Sequence, residues 1–187
     1  MKKLALVVAI AISAISVLPA ADKDRKVEDP AKYETNVTFH NFPWGTSMEE
    51  VIKKMGKPVS REKINGLDSL VWENVEVKGY ITYMLCYFNK SGLQGVTYYF
   101  LTYTMDELMQ CYTKIRQELF ERYGPNWPFD GITKELRLYK CEWNLPSGFV
   151  YLGVDTRKDD HPVTLWFSSP ELSKQLFGDK PVTAKTR

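Results

Sequence analysis

Apolar residues in this chain switch between two periods. Met48, Val51, Ile52 and Met55 recur at helical spacing. Ser47 precedes them, with Glu50 three residues further on, the signature of a capping box. Gly56 and Pro58 mark the stop. The pattern therefore predicts a short helix. After Pro58 the period changes. Residues 67–77, 79–88 and 93–103 are rich in β-branched and aromatic side chains and read as strands. Asn89-Lys90-Ser91-Gly92 supplies a hairpin turn between the last two. Alternation along 80–88 puts Ile81, Tyr83, Leu85 and Tyr87 on one sheet face. Tyr80, Thr82, Met84, Cys86 and Phe88 fall on the other.

A longer version of the pattern follows. Thr104-Met105-Asp106-Glu107 is a second capping box, and Leu108, Tyr112, Ile115 and Leu119 form a second apolar stripe. Tyr123-Gly124-Pro125 stops it. Strands are expected over 136–143, 149–155 and 163–168, and a short final helix over 170–177. The expected fold is α+β, two helix-plus-antiparallel-sheet repeats (αβββ-αβββ) with the helices packed on one sheet face. Repeat boundaries fall at 37–103 and 104–170, followed by a short helix and mobile tail over 171–187. Short turns imply antiparallel pairing, and the two sheets can join or stand apart.

The phrase Phe42-Pro43-Trp44-Gly45-Thr46-Ser47-Met48-Glu49-Glu50-Val51, closing on Gly56-Lys57-Pro58, resembles the opening of small secreted bacterial α+β repeat domains. These include outer-membrane assembly lipoproteins of the SmpA/OmlA type and the repeats of β-lactamase inhibitory protein. The resemblance implies a helix that opens each unit and packs on an antiparallel sheet. This chain lacks the lipobox Cys of the assembly lipoproteins.

The N-terminus changes the picture of compartment. Lys2 and Lys3, an apolar run to Leu18, then Ala20 and Ala21 read as a signal peptide over 1–21. The run is shorter than the ~20 residues a membrane span needs. A periplasmic or secreted protein is expected, with no stable membrane span after cleavage. Residues 22–36 are charged and read as a flexible leader. Without Lys2 and Lys3, 23 basic residues face 23 acidic ones, which gives no reason to expect nucleic acid as a partner.

Candidate chemistry is sparse. His40 and His161 have no second ligand three or four residues on, and there is no Cys-x-x-Cys, so no metal and no cofactor are expected. Cys86, Cys111 and Cys141 allow one disulfide or three buried thiols. Cys141 with His161 is the one nucleophile–base pair that can be composed, and nothing local activates the thiol. No catalytic residue is assigned, and an enzyme is not expected. The informative excess is aromatic: eleven Tyr and five Trp. Tyr83, Tyr87, Tyr99, Tyr103 and Trp143 are the candidate binding residues, as an aromatic-rich sheet face suited to a protein partner. The expected function is a non-catalytic binding or scaffolding protein of the cell envelope. The alternative is a proteinaceous inhibitor of a secreted or periplasmic hydrolase.

Overall fold

The computed structural model describes residues 33–34, 37, 42–125, 138–155 and 162–177. The segment expected to be a signal peptide, the expected leader before Tyr33, His40, His161 and the residues from Gly178 on lie outside these residues. The element order is α1 (Met48–Met55), β1 (Ser60–Ile64), β2 (Leu67–Val77), β3 (Tyr80–Asn89), β4 (Gly92–Phe100), α2 (Met105–Tyr123), β5 (Leu138–Leu145), β6 (Gly148–Asp155), β7 (Val163–Ser168) and α3 (Pro170–Phe177). The strands make one antiparallel sheet in the order β1-β2-β3-β4-β7-β6-β5. The fold is α+β, and β4 pairing with β7 joins the two halves into one sheet.

Both long-range helices start as their residues dictate. The Ser47 hydroxyl accepts from the Glu50 N–H at 3.2 Å, and Glu50 accepts from the Ser47 N–H at 3.3 Å. Thr104 and Glu107 repeat the box at 3.2 and 3.1 Å. Gly56 and Gly124 end the helices at φ of 84° and 86°, which a side chain would resist. Each of these glycines then offers its carbonyl to an indole. Trp72 Nε1 on β2 donates to Gly56 at 3.1 Å, and Trp143 Nε1 on β5 donates to Gly124 at 2.9 Å. The helix ends are thus tied to the strands beneath them.

The main core lies between the first sheet face and α1 with α2. Val51, Leu70, Met84, Val96, Phe100, Leu108, Ile115, Val150, Leu152 and Val163 are buried there. All three cysteines sit in this core as free thiols.

The chain before α1 closes the structure. Gly45 N–H donates to the Leu93 carbonyl, and Leu93 N–H to the Thr46 carbonyl, both at 2.9 Å. This contact leaves no room at Gly92: a Cβ there would stand on the Gly45 carbonyl, and its φ is +98°. Trp44 Nε1 reaches the Ser147 carbonyl in the β5–β6 turn at 2.9 Å, linking the two halves again.

Four features differ from the sequence-based expectation. The first half has four strands, because β1 precedes the Asn65-Gly66 turn. Its residues Arg61, Glu62 and Lys63 are exposed, so no apolar period announces it. The helices do not share one face: α3 seats Leu172 on the opposite face, over Gly95. Tyr33 and Glu34 are not a free leader. Glu34 donates its N–H to the Arg122 carbonyl at 2.9 Å, Arg122 Nε meets Glu34 Oε2 at 2.7 Å, and the Tyr33 ring lies against Gly124. Trp143, expected in a binding face, is a core residue at 4% exposure.

Two substitutions test this frame. Gly92→Ala is expected to cost about 2–4 kcal/mol, from left-handed strain plus overpacking against Gly45. Trp143→Phe is expected to cost a similar amount, because the ring shrinks and the Gly124 carbonyl loses its donor in a buried site. Urea unfolding checks both; midpoints equal to that of the unaltered protein would refute the role given to either contact.

Candidate functional site

The second sheet face is built from alternate residues of seven strands. Register places Leu85, Thr97, Trp166, Tyr151 and Glu142 in one row across β3, β4, β7, β6 and β5. The next row is Tyr83, Tyr99, Thr164, Gly153 and Lys140. Beyond it, Ile81 lies opposite Leu101, whose N–H donates to the Ile81 carbonyl at 3.0 Å. In the first two of these rows β3, β4, β7 and β6 carry no charged residue. Glu76 flanks them opposite Ile81, and Lys140 pairs with Glu142 at 3.3 Å on β5.

One end of this face is covered. Leu172 of α3, at 2% exposure, packs with Phe149, Trp166 and Leu67. Gly95 makes this possible, since a Cβ there would come within 2.8 Å of Leu172 Cδ2. Ser169 caps the helix by accepting from the Leu172 N–H at 3.1 Å, and its hydroxyl donates to Gln94 Oε1 at 2.6 Å. The other end has no covering helix among the described residues. Ile81 is 43% exposed there, and Tyr83, Tyr99 and Leu101 are half-buried.

The tyrosines are held by their neighbours. Thr97 Oγ1 donates weakly to the Tyr87 hydroxyl oxygen at 3.4 Å, and Tyr87 and Tyr99 share a hydrogen bond. Burial pushes the Tyr99 phenol well above its ordinary 10.0, and Tyr87 reinforces the shift. Burial also raises Tyr87, against the opposing hydrogen bonds from Thr97 and Tyr99. Both stay neutral at physiological pH. Tyr151 folds its ring over Gly153, filling the place where that residue has no side chain. The result is a neutral surface of fixed rings with few free donors, suited to contact rather than proton transfer.

Of the five candidate binding residues, the structure brings Tyr83, Tyr87 and Tyr99 together on this face. Tyr103 lies past the end of β4, 88% exposed, with its backbone N–H on Glu107. Trp143 points into the opposite face, where it packs edge-on against Phe120. The five candidates left out Ile81, Leu101, Tyr151 and Trp166. Alternation along β3 and β4 puts Ile81 beside Tyr83 and Leu101 beside Tyr99; Tyr151 and Trp166 needed the β4–β7–β6 register, which turn spacing does not encode.

Of the thiol–imidazole pair only Cys141 is among the described residues; His161 lies outside them. Cys141 is buried and meets the Tyr112 hydroxyl at 3.3 Å. Burial raises the Cys86 thiol far above its ordinary 9.0, and pushes Cys111 up to about 12 although nearby Lys114 opposes the shift. These are poor nucleophiles. Among the described residues no group of three His, Cys, Asp or Glu could hold a metal ion, and no helix is long and apolar enough to cross a membrane.

No family model matches the chain, and no curated protein does. Among solved structures, the chain is similar to a DUF4309 family protein (YjgB) from Bacillus subtilis, with a TM-score of 0.43 and 10% identity, covering 68% of this chain and 80% of that one. A likeness of that size carries no functional argument.

The thiols make a test of pH. A raised folded-state pKa means the folded protein keeps a proton that the unfolded chain releases, so stability is full below about 9 and falls as pH climbs toward 12. The denaturant midpoint is expected to be lower at pH 10.5 than at pH 8, and Cys111→Ala should flatten part of the drop. In native conditions at pH 8 all three thiols should react with a disulfide reagent far more slowly than in denaturant. A thiol that reacts at the rate of free cysteine would overturn the buried assignment.

Proposed function

We propose that this is a non-catalytic binding or scaffolding protein of the cell envelope, which holds another protein against its second sheet face. The observation that carries this reading is the cluster of Ile81, Leu101, Tyr83 and Tyr99. It is apolar apart from the two phenol hydroxyls, flanked by Glu76 opposite Ile81, and uncovered by any described helix. Aromatic residues on a rigid sheet lose little side-chain freedom on binding, which is why Tyr and Trp recur as interface anchors. The thiols of Cys86 and Cys111 are held protonated, the carboxylates of Glu50 and Glu107 serve caps, and those of Glu34, Asp68, Glu118 and Glu142 sit in ion pairs.

Periplasmic or secreted location belongs to the same reading. Its support is the apolar run between Lys3 and Ala20. So does descent of the two halves from one repeated unit. Its support is the shared device of capping box, terminal glycine and indole-to-glycine bond in each half.

The test uses the mature protein with a photo-crosslinking residue at position 83. A specific adduct to one envelope protein is expected. Tyr99→Ser and Ile81→Ser, made separately in that background, should reduce the adduct at least tenfold while thermal unfolding stays cooperative. Tyr103→Ser, off the face, should leave the adduct unchanged. An adduct indifferent to Ile81 and Tyr99 would sink the reading.

A further inference from the structure

We draw no further inference here: the strongest candidate, the part of the second sheet face around Ile81, Tyr83, Tyr99 and Leu101 that no described helix covers, already carries the function proposed above, and nothing in the structure shows what covers it.

Discussion

An indole N–H bonded to the carbonyl of a helix-ending glycine fixes how this molecule is put together. It occurs twice, from Trp72 to Gly56 and from Trp143 to Gly124. The glycine is needed twice over. It turns the chain out of the helix at positive φ, and it leaves its carbonyl pointing to where an indole can reach. An eight-residue helix such as α1 has little stability of its own. Its position comes from Val51 in the core and from this bond at its end. Trp44 does the same for the chain entering α1, but its acceptor is Ser147 in the other half. Three indoles therefore set the helix ends and the lead-in segment against one sheet.

The two faces of that sheet are solved differently. The first is covered by α1 and α2 and filled by aliphatic and aromatic side chains that vanish from solvent. Among the described residues the second receives only α3, which is eight residues long and buries Leu172 while Leu176 stays 41% exposed. Tyrosine and tryptophan suit such a surface, since each can bury a ring and leave a polar tip near water. Phe149 against Trp166 at 5.6 Å shows the packed end, and the half-buried Tyr83 opposite Tyr99 shows the open one.

Much of this was legible in the chain. Capping boxes at Ser47 and Thr104, glycines at 56 and 124, and strict alternation along 80–88 are local signals, and local geometry obeys them. What escaped was non-local or polar. β1 lacks an apolar period, although Asn65-Gly66, with φ of 52° and 82°, is the kind of turn that demands a strand on each side. The joining of β4 to β7 cannot be read from spacing, and with it went the composition of the second face. Trp143 was assigned by residue type. Its parity on β5 matches Cys141, so pairing Cys141 with Leu152 puts both under α2. The docking of Tyr33 and Glu34 was hidden because a charged segment reads as solvated until Arg122 and Gly124 are brought beside it.

The pairing of β4 with β7 has a consequence for solubility. Two separate meanders would present four open edges to other chains, and each open edge is a template for unwanted strand addition. Among the described strands one continuous sheet has two, at β1 and β5. The strands removed from danger, Gly92–Phe100 and Val163–Ser168, are among the most apolar in the molecule. The strand left outermost at one side, Ser60–Ile64, carries arginine, glutamate and lysine in succession. The order of strands thus hides the sticky edges inside and turns a charged one outward.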